Sequence, residues 1–243
     1  MTTLTDLVRE RFRLKQTVVT ITAQEQDHLE VAKEEIAFQR ALLEDFIRHD
    51  PFFMLTLEPY DRAIEKAPQI ARDMVRAGSA VGIGPMSAVA GTIARFALEA
   101  MIRAGATHAI VDNGGDVALV TDRKVLMGIY AGSSPLKNLA FEIPPRTKLL
   151  GICTSSGTVG PSISFGSADA AIVVSEDVSL ADAAATSLGN AVVEGSPLED
   201  SFKAVDKPGI EGSLVIRGEE MALWGDLPPL KRANLRPDLI TRA

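Results

Sequence analysis

The chain is poor in the residues that build covalent and metal-based frameworks. Its 243 residues include one cysteine, Cys153, and three histidines. A single cysteine excludes an internal disulfide framework and a CxxC metal site, which suits a reducing compartment. His28, His49 and His108 stand far from Cys153 in the sequence, and no Ser–His–Asp, Cys–His or histidine–metal signature is present.

The sequence also lacks long hydrophobic runs and an excess of positive charge. Its net charge is −7 and its pI is about 5.1. Proteins that bind the nucleic-acid backbone non-specifically are usually basic, so we expect no nucleic-acid partner. The N-terminus carries no apolar stretch of signal-peptide length, and the longest apolar runs are too short to span a membrane. We therefore expect a soluble, cytoplasmic protein without a membrane partner.

The composition that remains is typical of a globular protein, with 46% hydrophobic and 23% charged residues. Periodicity and turn signals predict a strand over residues 11–22 and helices over 24–50, 68–77, 87–105 and 179–193. Further strands are predicted at 108–112, 116–120, 125–130, 139–143 and 169–175, with hairpin turns at 121–124 and 217–220. Helices and strands do not alternate regularly, which favours an α+β fold over a doubly wound parallel sheet.

Two glycine-containing segments are candidate ligand-binding turns. The first, VGIGPMSAVAGT (residues 81–92), opens a predicted helix, where backbone amides can hold an anion. The alternative is a tight turn whose small residues permit close packing, and taken alone we favour that interpretation. The second, DNGGD (residues 112–116), is typical of a β-turn. Asp116 would there be available for a hydroxyl group or a metal.

Two later segments carry further candidates. Asp182 and Thr186 in LADAAAT are four residues apart, so they share one face of a helix and offer the hard oxygen ligands that suit Mg²⁺. Ser179 with Asp182 also fits a capping box at the start of that helix. In GICTSSGTVGPSISFG (residues 151–166), Cys153 is a candidate nucleophile or a buried small apolar residue. The hydroxyls, amides and glycines that follow it could line a ligand.

Taken in order, GPMSAVAG, VDNGGD, GICTSSGTVGPSISFGSADA and LADAAAT resemble the short UPF-type subfamily of ApbE-like proteins over residues 10–200. The resemblance implies one domain with a duplicated T-fold-like α+β fold, antiparallel sheets and packed helices. Its pseudo-repeated halves would be roughly 10–105 and 106–225, followed by a tail over 226–243. It implies FAD or FMN as ligand and Mg²⁺ held by Asp182, Thr186 and a carbonyl near Val89 or Ala90. The implied ligand contacts are Gly84, Pro85, Met86, Ala90, Asn113, Gly114, Gly115, Asp116, Thr154, Ser155, Ser156 and Gly157.

The sequence departs from the flavin transferases of that family in two places. They carry a lysine where this chain has AVAGT (residues 88–92), and an H-x-x-D-P motif where it continues with PSISFG. These losses argue against FMN transfer and leave Cys153 and Asp116 as the catalytic candidates. The resemblance also allows a role in making homocysteine from aspartate semialdehyde and sulfide. A third alternative is a non-catalytic homo-oligomer, such as a dimer, that binds a small molecule, a nucleotide or a protein partner.

Overall fold

A computed structural model describes residues 7–157, 166–234 and 241. Eight antiparallel strands form the main sheet in the order β1-β2-β3-β4-β7-β8-β9-β10, and three form a smaller sheet in the order β11-β6-β5. The strands are β1 Val8–Leu14, β2 Thr17–Ala23, β3 Ala109–Asn113, β4 Asp116–Thr121, β5 Val125–Ile129, β6 Leu139–Ile143, β7 Arg146–Ser155, β8 Ala170–Ser175, β9 Gly212–Arg217, β10 Glu220–Gly225 and β11 Leu230–Arg232.

Five α-helices accompany these sheets within the described residues. They are α1 Gln26–His49, α2 Phe52–Leu55, α3 Gln69–Ala80, α4 Val89–Arg103 and α5 Val178–Ala191. A 3₁₀ turn, Pro85–Ala88, leads directly into α4, and a second one covers Leu198–Ala204. The α+β class and the antiparallel pairing predicted from the sequence are confirmed.

The main sheet separates two apolar cores because its side chains alternate between its faces. In β4, Ala118 and Val120 belong to the core shared with the helices, whereas Val117 and Leu119 face the smaller sheet. The helix-facing positions are often small, and Gly151 shows why. A Cβ there would lie 2.8 Å from Val178 Cα, so the start of α5 approaches the sheet backbone directly.

Two of the predicted elements were wrong. Residues 11–22 do not form one strand: the chain reverses after Leu14, and Leu14 pairs with Thr17. Lys15 supplies the positive φ of 54° that this two-residue turn needs. Glycine or asparagine usually occupies such a position, so the sequence carries no signal for this turn. Residues 121–124 are not a hairpin turn either, because β4 pairs with β3 and β7, whereas β5 pairs with β6 in the smaller sheet.

Among the described residues, no single helix combines the length and the apolar character needed to cross a membrane; the pair Gln69–Ala80 and Pro85–Arg103 passes that test only jointly, across a bend of 106°.

Candidate functional site

A row of side chains crosses the main sheet beneath α4 and α5. Asn113 pairs with Asp116 across the β3–β4 hairpin, and Asp116 lies directly opposite Cys153 on β7. Opposite residues of antiparallel strands point to the same face, and Cys153 belongs to the core on the helix side. The register therefore brings residues of the predicted DNGGD and GICTSSG segments together under the two helices.

Asp182 on α5 reaches the first turn of α4. Its Oδ2 accepts a hydrogen bond from the Gly91 amide at 2.7 Å, and the Ala90 amide also bonds to this carboxyl. Helix starts leave such amides without intrahelical partners, and Ala88, the N-cap of α4, has no side chain that could cap it. Asp182 thus caps α4 from another helix.

This arrangement corrects the predicted capping box. The N-cap of α5 is Asp177, whose Oδ1 accepts from the Leu180 amide at 3.2 Å. Ser179 lies inside the helix, fully buried, and its hydroxyl bonds to Thr92 Oγ1 of α4 at 2.8 Å. Ser179 and Asp182 both serve the α4–α5 contact and do not cap their own helix.

Asp116 and Asp182 form a pair of carboxyls that share a hydrogen bond. Asp182 is buried and Asp116 is half-buried. Enough protein surrounds Asp116 that desolvation is the main cause of its pKa shift. Desolvation first, and then the neighbouring charge of Asp112, raise the pKa of Asp116 to about 7, against the hydrogen bonds from Cys153, the Thr154 amide and Asp182. Burial and then the charge of Asp116 raise the pKa of Asp182 well above its ordinary range. Burial is the first cause of both shifts, and a neighbouring acid adds to each of them: Asp112 for Asp116, and Asp116 for Asp182.

Cys153 is fully buried behind this pair. Its Sγ lies 3.7 Å from the Val178 carbonyl oxygen. Burial, followed by the charges of Asp116 and Asp182, raises the pKa of the Cys153 thiol well above its usual value. A thiol nucleophile needs the opposite conditions, which are exposure and a nearby positive charge, so the geometry argues against Cys153 as a nucleophile.

The β3–β4 turn closes one side of the site. Gly114 and Gly115 both have positive φ, 71° and 107°, which two-residue hairpin turns of this type require. Asn113 Nδ2 donates to the Ala90 carbonyl at 3.0 Å and so ties the turn to α4. A Cβ on Gly115 would lie 3.9 Å from Thr154 Cβ, so the turn stands beside the end of β7.

Other residues predicted for the site lie at the turn before α4 or further along α5. Gly84 and Pro85 are buried, and a Cβ on Gly84 would lie 2.1 Å from the Thr56 carbonyl oxygen, so this glycine serves chain packing. Met86 packs on the helix-side core. Thr186 lies half-buried one turn beyond Asp182 on α5.

The remaining predictions concern the residues after Thr154. Ser155 and Ser156 are buried at the end of β7, and Gly157 donates its amide to the Ala168 carbonyl at 2.9 Å. Most of the PSISFG stretch, where the transferase H-x-x-D-P motif is missing, lies outside the described residues.

Potential metal ligands are sparse. In the described part of the chain, no group of three or more His, Cys, Asp and Glu side chains is arranged to hold a metal ion. A cation at Asp182 would need carbonyl, hydroxyl, water or ligand oxygens to complete its coordination. Two surface cavities lie elsewhere, one lined by Thr121, Asp122 and Pro145–Lys148 and the other by Gly195–Glu199, Arg217, Glu220 and Met221.

Sequence reasoning missed two residues that organise this region. A Cβ on Gly91 would lie 2.7 Å from Asp182 Cβ, so only glycine permits this crossing of α4 and α5. The glycine within an otherwise alanine-rich helix start was the available signal. Thr241, whose hydroxyl bonds to Asp112 at 2.5 Å, gave no signal because its partner is 129 residues away.

Comparison with known proteins agrees with this architecture. A family model described as AbpE bacteria matches residues 2–201. The UPF0280 protein of Methanothrix thermoacetophila is 55% identical over 236 residues, which cover 97% of this chain and 100% of that protein. The UPF0280 protein of Methanosarcina barkeri is 58% identical over 238 residues, covering 97% and 94%.

Solved structures share the fold at much lower sequence identity. The flavinyl transferase ApbE of Pseudomonas stutzeri in its apo form superposes with a TM-score of 0.55 at 12% identity, covering 91% of this chain and 95% of that one. The flavin transferase ApbE from Vibrio cholerae gives a TM-score of 0.54 at 10% identity, covering 90% and 96%. The chain is therefore a member of the UPF0280 family of ApbE-like proteins and has the α+β fold of ApbE.

Proposed function

We propose that this protein binds a flavin or a related nucleotide, together with Mg²⁺, beside the Asp116–Asp182 pair. The ligand would lie against the Asn113–Asp116 turn and Thr154. The names of the structural relatives, which are flavin transferases, support a flavin as the first ligand to test.

The observation that carries the proposal is the meeting of two carboxyls, Asp116 and Asp182, at the start of α4. Two acids in contact away from water repel each other when both are charged. A divalent cation removes that repulsion and gives the pair a binding role. Mg²⁺ commonly takes one or two carboxylates from the protein and completes its shell with water and ligand phosphates.

The surrounding groups offer the oxygen atoms that Mg²⁺ prefers as ligands. Asp182 supplies a carboxylate and Thr186 a hydroxyl one turn later on α5. The Ala90 carbonyl lies within the same cluster, although it already accepts a hydrogen bond from Asn113. When bound, the cation would neutralise ligand phosphates, while the Asn113–Asp116 turn and Thr154 would orient the nucleotide.

We propose that the site binds its ligand without transferring FMN. Group transfer from a dinucleotide needs positive charge on the pyrophosphate as it separates. Residues 88–92 read AVAGT where the transferases have lysine, and no histidine follows His108 in the chain.

Calorimetric titration tests the binding proposal. FAD, FMN, ADP and ATP are each titrated into the protein with and without MgCl₂. We expect Mg²⁺-dependent binding of at least one nucleotide, and about tenfold or greater weakening in Asp182→Asn, since losing one charged contact costs about 1.5–3 kcal/mol. The side-chain carbonyl oxygen of asparagine can still accept a hydrogen bond from the Gly91 backbone N–H, so this variant keeps the cap on α4.

Two controls make the result decisive. Asp177→Asn alters a carboxyl of the same helix that lies outside the pair and pairs with Arg76, and it should bind like the wild type. Absence of binding for all four nucleotides in the presence of Mg²⁺ would refute the proposal. Incubation with FAD and an acceptor protein should give no covalently bound FMN.

The homo-oligomer stays a prediction, and one exposed apolar surface is a candidate interface on which to test it. Phe52, Met54, Leu55 and Leu57 are exposed within six residues of one another, and clustered exposure of this kind is typical of interaction surfaces. Light scattering on the wild type and on Leu55→Asp should show a dimer and a monomer, respectively. A monomeric wild type would contradict the prediction.

A further inference from the structure

We propose that Thr241 is a positioning residue that holds the Gly114–Gly115 turn of the candidate ligand site through Asp112. The relevance of this turn to ligand binding rests on the function proposed above, but the contacts stand by themselves.

Thr241 contacts one residue on each of two paired strands, β2 and β3. Its side chain is buried, and its hydroxyl donates to Asp112 Oδ2 at 2.5 Å and lies 2.8 Å from Thr20 Oγ1. Thr20 and Asp112 are direct partners in the β2–β3 pair. One hydroxyl therefore bridges a cross-strand pair just before the hairpin turn.

Asp112 also bonds to the turn itself. Its second oxygen, Oδ1, accepts from the Gly115 amide at 2.9 Å, so Thr241 and Gly115 hold opposite sides of one carboxylate. Without the Thr241 hydroxyl, Oδ2 loses the hydrogen bond that Thr241 donates. Asp112 is half-buried, with desolvation as the main cause of its raised pKa, so the loss of a hydrogen bond to its carboxyl is unfavourable. The carboxylate would turn to recover a partner and would release Gly115.

The position of Gly115 matters because it stands between the two sides of the site. It precedes Asp116 in the chain, and it lies beside Thr154 near the end of β7. A turn that has lost its bond to Asp112 exchanges among more conformations. A ligand would then have to order the turn on binding, which weakens apparent affinity.

The test compares Thr241→Val with Thr241→Ser in the full-length protein without ligand. Hydrogen exchange of the Gly115 amide, followed by NMR, reports opening of this bond directly. Valine keeps the shape of threonine without its hydroxyl, and we expect about tenfold faster Gly115 exchange, equivalent to one hydrogen bond. Serine restores the hydroxyl and should restore slow exchange. Thr107→Val removes a comparable threonine–aspartate bond, to Asp122 at 3.2 Å, and should leave Gly115 unchanged.

The results separate positioning from overall stability and from the proposed function. Faster exchange at Gly115 with unchanged exchange in α1 supports the proposal. Unchanged exchange at Gly115, or equal acceleration throughout the protein, overturns it, and Thr241→Ala is the second variant should valine prevent folding. In a nucleotide titration, Thr241→Val should bind about tenfold more weakly than wild type and Thr241→Ser, and equal binding would overturn the role in the site. If the wild type binds no nucleotide, the proposed function fails, while Gly115 exchange still decides the role of Thr241.

Discussion

Substitution of Gly91 by alanine tests how closely α4 and α5 approach each other. The new Cβ would lie 2.7 Å from Asp182 Cβ and 2.9 Å from the Val178 carbonyl oxygen. Carbon atoms pack best about 3.5–4.0 Å apart, so the helices would have to separate by about 0.8 Å. Neither opposing atom is the end of a flexible side chain that could move aside.

This separation would also weaken two hydrogen bonds between the helices. The Gly91–Asp182 bond of 2.7 Å and the Thr92–Ser179 bond of 2.8 Å would both stretch to about 3.5 Å, beyond the usual range. Overpacking costs about 1–3 kcal/mol and each weakened bond up to about 1 kcal/mol. Alanine returns about 1 kcal/mol through helix propensity. We expect Gly91→Ala to lower the free energy of unfolding by about 2–3 kcal/mol.

Urea denaturation followed by circular dichroism measures this change as a lower midpoint with an unchanged slope. Thermal unfolding should show a fall of about 4–12 °C for a chain of this size. Ala90→Gly is the matched control, because it changes helix propensity in the same turn of α4 without adding an atom. If Gly91→Ala stabilised the protein by about as much as Ala90→Gly destabilised it, the close approach of the helices would be refuted.

Three further predictions follow from buried polar groups. A small thiol reagent should leave Cys153 unmodified in the native protein and modify it after denaturation, because burial raises its pKa; rapid native modification would contradict its placement. Burial lowers the pKa of His108, so the unfolded chain takes up a proton first as the pH falls below about 6.5, and stability should decline there. In His108→Asn, whose side chain can keep the bond to Thr121, the free energy of unfolding from urea titrations should fall less steeply over this pH range. Equal pH dependence in the wild type and the variant would contradict the prediction. Asp182→Ala should destabilise the protein by about 1 kcal/mol more than Asp182→Asn, because only alanine removes the cap on α4, and equal loss would show that the cap contributes nothing.

The parts of the fold that were predictable depend on neighbouring residues. Helix α1 follows from apolar residues at helical spacing and from the proline after Asp50. The β3–β4 hairpin follows from Asn113 and two glycines, which tolerate the positive φ that the turn needs. Lys15 adopts the same backbone region without belonging to a residue type that signals it, and the β1–β2 hairpin was missed for that reason.

For the candidate site, the sequence predicted several of the residues that lie together, but it did not predict the contacts between them. The resemblance named Asn113, Asp116, Thr154 and Asp182, and the structure brings these four together. Gly84 entered the prediction through the resemblance, but the chain at Thr56 occupies the space that its missing side chain leaves. This contact fits the tight, closely packed turn that the sequence of residues 81–92 favours when taken alone.

The sequence by itself determined the α+β class, the long first helix, the glycine hairpin and the family, because each depends on residue order within short segments or on several motifs in a fixed sequence. Only the tertiary structure decided that Asp182 caps another helix, that Cys153 is fully buried near two carboxyls and that Thr241 bonds to Asp112. These roles depend on contacts between residues far apart in the chain, and the pKa shifts depend on burial. Neither can be read from the local pattern, since the same aspartate is an exposed surface charge or a buried ligand according to what packs over it.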